Sequence, residues 1–206
     1  MQLLLIPLDD TILFPNMTAT IAADVGDANR VIAVPRIDGE FASIGTVAEV
    51  VETARIPGTG SVATLAGLHR GRPGTAVPGP DGRLRVEVEE LRDASPAGQR
   101  TRELEREYRA VVQEILELRG DDGRVAAFLR SISEPGALAD TSGYSPDLSP
   151  EDKLRVLEEA DVTERLALAL ELQRERLAEL QVRRRIRDDV ESGAQKQQRE
   201  YFLRKQ

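Results

Sequence analysis

The sequence predicts an α+β fold: a small, mainly antiparallel β barrel, then an α-helical bundle, then one long C-terminal helix. Three observations support it. The first 93 residues consist of short apolar runs separated by Pro and Gly, which is typical of strands and turns. From about residue 94 the apolar residues recur at helical spacing. The last stretch, 161–206, has no Pro and a single Gly, Gly193.

The β part contains six candidate strands with turn signals between them. The hairpin turn at 57–60 (PGTG) and a second turn at Pro80-Asp81-Gly82 follow the usual turn chemistry. The last strand alternates apolar and charged residues, as a half-buried antiparallel strand does. About six short strands indicate a closed or nearly closed barrel. The predicted strands are 3–6 (stopped by Pro7), 17–22, 31–34 (closed by Pro35), 45–55, 61–68 and 83–89.

The middle part, 94–160, is predicted to be helical. Residues 102–119 carry one apolar stripe and end at Gly120, a residue suited to the left-handed C-cap position. A shorter helix is expected at 125–132. Residues 133–148 have the composition of a loop, with one helical turn at 137–140. Ser149 followed by Pro150 and two acids predicts the start of another helix.

The long helix divides in two. Asp161, with Glu164 three residues later, resembles a capping box. Residues 161–180 carry an apolar stripe wide enough to pack into a bundle core. Residues 181–206 are mostly charged, which predicts a solvated connector or one strand of a coiled coil. Because the pattern continues to Gln206 without a cap, we expect the connector to lead toward a further module.

Composition narrows the function classes. The net charge of −8 argues against general nucleic-acid or anionic-membrane binding. The chain has no Cys, so thiol catalysis and Cys-based metal sites are excluded, and a cytoplasmic location is expected. The N-terminus lacks the basic start of a signal peptide. No apolar run approaches the roughly 18 residues of a membrane span.

No residue set predicts catalysis. There is no Gly-Lys pair and hence no phosphate-binding P-loop. The single histidine, His69, is expected to be a partly exposed side chain at a strand end. The three lysines, Lys153, Lys196 and Lys205, lie in no apolar context that would lower their pKa. The sequence therefore predicts no catalytic, cofactor-binding or metal-binding residues.

Charged and glycine clusters have ordinary structural interpretations. Neighbouring carboxylates diverge on a strand or helix, so they are expected to form solvated surfaces. The basic run near residue 185 lacks interleaved aromatics and sits beside acids, so a solvated or salt-bridging face is expected. The glycine pairs are expected to be hairpin turns, since no helix follows them. These clusters are Asp9-Asp10, Glu89-Glu90, Glu158-Glu159, Arg183-Arg184-Arg185 with Arg187, Gly58/Gly60 and Gly71/Gly74.

Several motifs resemble the N-terminal domain of the Lon protease family. The opening IPLDDTILFPNM at 6–17 is similar to the family's Pro-Leu-Arg/Asp-Asp stretch and Phe-Pro-Gly/Asn-Met turn. IGTVA at 44–48 matches a family strand, and LAGLHRG at 65–71 resembles its Val-Glu-Gly-Leu-x-Arg strand end. The resemblance continues with LEEADVTERL at 157–166 and QQREYFLRKQ at 197–206, which is similar to the Gln-Arg-Glu-Tyr-Tyr-Leu-Arg-Glu-Gln run before the ATPase module.

The resemblance implies a PUA-like β domain (1–93), a helical subdomain (94–160) and a helix that leads to an ATPase ring (161–206). It implies a non-catalytic region that binds unfolded or damaged proteins and supports hexamer assembly, monomeric or weakly dimeric when isolated. The parent would be a cytoplasmic, homo-hexameric ATP-dependent endopeptidase with a Ser-Lys dyad, using ATP and Mg, with both sites beyond residue 206. Substrate-contacting residues cannot be named. One departure is residues 24–29, too short for the helix that the family usually has there.

Two alternatives stay open on sequence alone. One is a stand-alone PUA-like or Lon-N-like module that binds a fixed ligand or RNA, for which binding should weaken steeply with salt. The other is a purely structural coiled-coil spacer, for which the residues after about 180 would set the oligomer mass.

Overall fold

The computed structural model describes residues 1–9 and 11–204, and that part of the chain forms eight strands and five α-helices. The strands are β1 (Gln2–Leu8), β2 (Thr18–Ala22), β3 (Arg30–Ile37), β4 (Glu40–Phe41), β5 (Gly45–Ile56), β6 (Gly60–Pro73), β7 (Val77–Pro78) and β8 (Leu84–Leu91). The helices are α1 (Gln99–Arg119), α2 (Arg124–Ser131), α3 (Pro135–Asp140), α4 (Pro150–Glu158) and α5 (Val162–Arg204), with a 3₁₀ turn at Thr141–Tyr144.

Five strands close into a barrel. Going round, β6 pairs with β5, β5 with β3, β3 with β1, β1 with β8, and β8 with β6. Among the described strand pairs, only β1–β3 is parallel. The predicted α+β class, the mainly antiparallel barrel and the long C-terminal helix are confirmed.

Both predicted hairpins form. The β5–β6 turn has Gly58 at φ 84° and Gly60 at φ 91°, and the turn before β8 has Gly82 at φ 73°. These positive φ values strain any residue with a side chain, which explains why glycine occupies these positions. Gly71 and Gly74 are not both turn residues: Gly71 lies within β6, where an added Cβ would meet Val88 and Val47. The prediction of a hairpin turn at Gly71 was therefore wrong.

The strands run through both prolines that were predicted to end them. Pro7 lies within β1 and Pro35 within β3. On the side away from the β1–β3 pair, β8 pairs only with the start of β1 and β5 only with the start of β3, so neither strand reaches the proline. Pro35 contributes its carbonyl to the β3–β4 hairpin, where it accepts the Ala42 N–H at 2.8 Å. The sequence interpretation also missed the two-residue β4. Strand β4 pairs with β3 through a hairpin turn formed by Asp38 (φ 52°) and Gly39 (φ 84°).

Strand β1 is apolar throughout because both of its faces are covered. Leu4, Ile6 and Leu8 belong to one buried cluster, and Leu3 and Leu5 to another. Strand β3 is divided in the same way. A strand buried on both sides loses the polar alternation that β8 keeps, so its sequence is a continuous apolar run.

The helices begin and end largely where the sequence indicates. Gly120 caps α1 in the left-handed conformation (φ 70°), and the Ser149 Oγ accepts the Asp152 N–H at 3.1 Å to start α4. Residues 133–148 are more ordered than the predicted loop. They contain α3, which begins at Pro135, and the 3₁₀ turn, and their side chains include the fully buried Leu138.

Helix α5 is a single helix of 43 residues that continues through Gly193. Asp161 Oδ1 accepts the Glu164 N–H at 2.9 Å, but the Glu164 carboxylate pairs with Arg100 rather than closing the predicted capping box. Its buried residues lie between Val162 and Gln173, and every described residue from 181 onward is exposed. No helix forms between β2 and β3, as the short segment at 24–29 predicts.

The barrel and the helices share an apolar cluster. Ile12 and Phe14 from the barrel pack with Leu148, Val156, Leu157 and Leu172 from the helical side. The Phe14 ring lies against Gly143, where no side chain intervenes. The division of the chain at residues 93 and 160 stays a prediction.

Candidate functional site

A groove opens on the helical side of the molecule, between α1, α2 and the segment that follows the 3₁₀ turn. It encloses about 390 Å³. The chain has three Tyr, four Phe and no Trp, and three of these seven aromatic residues line the groove. Its lining residues are Tyr108, Val112, Ile115, Leu116, Arg119, Val125, Phe128, Leu129, Thr141, Tyr144, Ser145, Pro146 and Gln173. We call this surface the helical groove.

The floor of the helical groove is uncharged, and the hydroxyl groups there are hydrogen-bonded. Tyr108 is 1% exposed, and its hydroxyl lies 2.9 Å from Thr141 Oγ1. The Thr141 hydroxyl donates its proton to the Leu138 carbonyl at 2.6 Å, so it accepts from Tyr108. Burial raises the pKa of Tyr108 to about 12, which keeps the phenol uncharged. The floor therefore presents no charge to a ligand.

The outer wall is apolar and partly exposed. Phe128 is 51% exposed and Val125 is 45% exposed, although both belong to the short helix α2. Arg109 of α1 fixes the end of that helix by donating to the Leu129 and Ile132 carbonyls at 2.5 and 2.6 Å. The wall is held by α1, so its exposed apolar side chains need no further protein partner to stay in place.

One end of the groove is charged but balanced. Arg119 pairs with Asp147, and the other Asp147 oxygen lies 3.1 Å from Arg176, which also contacts Glu179 at 2.8 Å. Burial and the nearby Arg176 lower the pKa of Arg119. The groove thus combines apolar walls, a neutral floor and a compensated ionic end. This arrangement suits apolar side chains and supplies no nucleophile or general base.

His69 lies inside β6, opposite Val47, and not at a strand end. Its side chain is 11% exposed, with Nδ1 2.9 Å from the Arg70 carbonyl and Nε2 3.8 Å from a Glu90 oxygen. The predicted strand-edge position was wrong because β6 continues to Pro73 and pairs with β8 beyond it. No nucleophile lies against the ring among the contacts of the described residues.

The described members of the neighbouring carboxylate pairs each bind a partner of their own. Asp9 accepts from Arg36 at 2.7 and 2.9 Å, and this contact lowers the pKa of Asp9. Glu89 binds Arg72, whereas Glu90 binds Arg92, whose hydrogen bond lowers the Glu90 pKa. On the helical side Glu158 accepts from the Ser43 N–H and hydroxyl at 2.7 and 2.8 Å. Asp10 lies outside the described residues.

The remaining candidates lie on α4 and α5. Lys153 lies near the start of α4, Lys196 lies on the exposed half of α5, and Lys205 is outside the described residues. Arg183 to Arg185 and Arg187 are exposed on α5. The described part of the chain contains no group of three metal-ligating side chains. Nor does any described helix have the length and apolarity needed to cross a membrane.

The family assignment follows from comparison with known proteins. Residues 2–174 match the family model described as the ATP-dependent protease La (LON) substrate-binding domain. The match covers well over half of the chain. The chain belongs to this Lon substrate-binding domain family. All of the helical groove up to Gln173 lies within the matched residues, so the groove is part of the family's domain.

Relatives and solved structures agree with the family. A Lon protease of Salinispora arenicola is 39% identical over 213 residues, covering 98% of this chain and 27% of the relative. A Lon protease of Mycolicibacterium smegmatis is 32% identical, again covering 27% of its length. The N-terminal domain of Mycobacterium avium complex Lon protease superposes with a TM-score of 0.75 at 29% identity, covering 84% of this chain and 98% of that one. The chain thus spans about a quarter of its curated relatives.

Sequence reasoning did not find the helical groove. Its residues come from four separate segments between 108 and 173. Those on α1 and α2 looked like ordinary positions of an amphipathic helix, and 141–146 looked like part of a loop. The usable signal was Phe128. It is an aromatic residue in a chain with few of them, placed on a helix of only eight residues. A helix that short cannot bury both faces.

Proposed function

We propose that the Lon substrate-binding domain described here captures apolar segments of unfolded or damaged proteins in the helical groove. The observation that carries the proposal is the exposed Phe128–Val125 wall above a neutral, aromatic floor. Such a surface is larger and more apolar than scattered exposed residues require, which is typical of an interaction site. Binding would rest on apolar contact, which is tolerant of sequence, and not on specific polar recognition.

The proposal extends to the parent protein. We infer that this region serves a cytoplasmic, homo-hexameric ATP-dependent endopeptidase whose ATPase module, with ATP and Mg, and Ser-Lys dyad lie beyond residue 206. The curated relatives, about four times as long as this chain, support that inference. Six copies around a ring would multiply a weak contact by avidity. In isolation we expect a monomer or weak dimer.

The test is a binding measurement with matched aromatic variants. The probe is reduced, carboxymethylated α-lactalbumin carrying a fluorophore, read by polarisation. Phe128→Ser removes an aromatic side chain that is about half exposed in the free protein. Since complete burial of a Phe is worth about 1.5–3 kcal/mol, the half that a ligand covers is worth about 1 kcal/mol. We expect roughly fivefold weaker binding.

The control is Phe41→Ser, because Phe41 is 46% exposed but lies on β4 of the barrel, away from the groove. It should bind the probe as the unchanged chain does, and salt should have little effect in either case. Equal loss in both variants, or none in Phe128→Ser, would contradict the assignment to the groove. Binding that falls steeply with salt would instead favour the ligand- or RNA-binding alternative.

A further inference from the structure

Four charged side chains meet where the barrel joins the helices. Arg70 of β6 and Asp93, which follows β8, come from the barrel side. Asp140 of α3 and Arg165 of α5 come from the helical side. We call these four residues the junction quartet. Each side contributes one cation and one anion. Arg70, Asp140 and Arg165 are at most 1% exposed, while the Asp93 side chain is 34% exposed at the rim.

Each arginine donates two hydrogen bonds to the carboxylate of the opposite side. Arg70 Nη1 and Nη2 donate to Asp140 at 2.9 and 2.7 Å. Arg165 Nη1 and Nη2 both donate to Asp93 at 2.8 Å. Arg165 Nη1 also lies 3.6 Å from Asp140 Oδ1, which links the two pairs into one network. Forked arginine–carboxylate pairs fix the direction of approach as well as the distance.

The remaining guanidinium donors are used on backbone carbonyls of the helical side. Arg70 reaches across the junction with Nε to the Leu157 carbonyl at 2.7 Å and Nη2 to the Val156 carbonyl at 3.1 Å. Arg165 donates to the Glu159 and Ala160 carbonyls at 2.8 and 3.2 Å. Each buried guanidinium therefore makes four hydrogen bonds in this one arrangement of the two sides.

The backbone of α3 is shaped to admit the quartet. A Cβ built on Gly136 would lie well within 3.0 Å of Asp93 Oδ2 and 3.3 Å from Arg165 Nη1. Any side chain at this position would displace the Asp93–Arg165 pair. The glycine is needed here for space, because its φ is not in the left-handed region.

The junction quartet and the apolar cluster contribute differently to the joint between the barrel and the helices. Apolar contact between Phe14, Ile12 and the helices is non-directional, so it holds the two sides together without fixing their angle. Burying charges is weak evidence for stability, but it can select one arrangement among several. Here the alternation of sign is reciprocal. Rotating one side relative to the other would separate both forked pairs and leave buried charges without their partners.

We propose that the junction quartet is an orientation lock, which sets the direction in which the barrel faces relative to α5. Because Arg165 lies near the start of α5, a small rotation at the junction produces a large displacement farther along the helix. At 1.5 Å per residue, Glu191 is about 40 Å along the helix from Arg165, so a rotation of about 10° at the junction displaces it by about 7 Å.

The experiment measures that angle directly. The chain has no cysteine, so Thr59→Cys on the β5–β6 turn and Glu191→Cys on α5 give two unique spin-label sites, both exposed. Their distance distribution is measured by pulsed electron paramagnetic resonance in the full chain. The test variant is Arg70→Met with Asp140→Leu, which removes one pair and refills its volume with apolar atoms. Asp9→Asn, which breaks an exposed ion pair of the barrel, is the matched control.

We expect one narrow distribution for the parent chain and the control. The double variant should unfold cooperatively, yet its distribution should widen or shift by up to about 7 Å, because a rotation of about 10° displaces Glu191 by about that much. A folded double variant with an unchanged narrow distribution would overturn the proposal, because the apolar cluster and the Ser43–Glu158 hydrogen bonds would then be sufficient to set the angle. If the double variant does not fold, the same distance measurement is made on Arg70→Lys and decides whether the proposal holds. Lysine keeps the positive charge but cannot form the forked pair with Asp140. An orientation lock therefore requires the distance distribution to widen, and an unchanged distribution refutes the proposal.

Discussion

Replacing Gly143 by alanine should weaken the joint between barrel and helices. Gly143 is buried in the 3₁₀ turn, and its φ is not positive, so alanine can adopt its backbone conformation. The obstacle is steric. An added Cβ would lie less than 3.0 Å from three atoms of the Phe14 ring. The substitution therefore tests the packing of one aromatic ring and no other property of the site.

The size of the effect follows from how little the ring can move. Phe14 is 0% exposed and is enclosed by Leu148, Val156, Leu157 and Leu172. Carbon atoms pack about 3.5–4.0 Å apart, so the ring must shift by roughly 1 Å into a filled cluster. Overpacking of this kind costs about 1–3 kcal/mol. For a chain of this size each kcal/mol lowers the unfolding midpoint by about 2–4 °C, so a fall of about 2–12 °C is expected.

The assay is thermal and urea unfolding followed by circular dichroism. Gly193→Ala is the matched control, since the same substitution in α5 meets nothing within 4 Å and improves helix propensity. It should not lower the midpoint. In a Phe14→Leu background Gly143→Ala should cost less than it does alone, because the smaller side chain leaves room for the methyl group. Equal costs in both backgrounds, or a neutral Gly143→Ala, would refute the close Phe14–Gly143 contact.

Two further outcomes are expected. Ser149→Ala removes the cap of α4 and should cost about 1 kcal/mol in urea unfolding, whereas Ser192→Ala on exposed α5 should cost nothing; equal effects would contradict the capping role. Tyr108 ionises at about 12 when folded against 10.0 when exposed, so unfolding releases its proton between these pH values. Stability present below pH 10 should therefore decline by about 2–3 kcal/mol as pH rises to about 12, and Tyr108→Phe should flatten that decline; an unchanged slope would refute the shift.

Local chemistry explains which elements the sequence predicted. Gly58, Gly82 and Gly120 adopt positive φ, and Ser149 caps a helix, so each boundary is specified by the residue that occupies it. Such signals need no tertiary information. The order of the six longer strands and of the main helices, and the continuous α5, could therefore be predicted from the chain alone, whereas the two-residue strands β4 and β7 could not.

Tertiary packing explains the errors. Pro7 and Pro35 ended strands in the prediction because a proline cannot donate to a ladder, but β8 does not reach Pro7, and Pro35 joins the β3–β4 hairpin through its carbonyl alone. Residues 135–144 looked like a loop because of their glycines. Gly136 and Gly143 are instead required by Asp93 and Phe14, which approach from the barrel side. Those contacts join residues more than forty positions apart, so no local pattern reveals them.

The junction quartet could not be predicted from the sequence for the same reason. The sequence showed Arg70, Asp93, Asp140 and Arg165 only as isolated charges, of which a chain with 31% charged residues has many. Their burial is what distinguishes them, and burial depends on the fold. The resemblance to the Lon family located the domain but named no contact residue. The helical groove and the junction quartet both required the assembled helices.

Helix α5 links these two features. Arg165 belongs to the junction quartet, and Gln173 lines the helical groove eight residues later, about 12 Å along the same helix. Beyond 181 every described residue of the helix is exposed, so the helix has no buried face there. A polypeptide segment held in the groove would therefore pull on α5 directly, and on the barrel through the quartet and through the apolar cluster that joins Phe14 to Leu172. On this argument, breaking the quartet should change where the barrel points while leaving capture of the α-lactalbumin probe intact, and a binding loss in Arg70→Lys as large as in Phe128→Ser would contradict it.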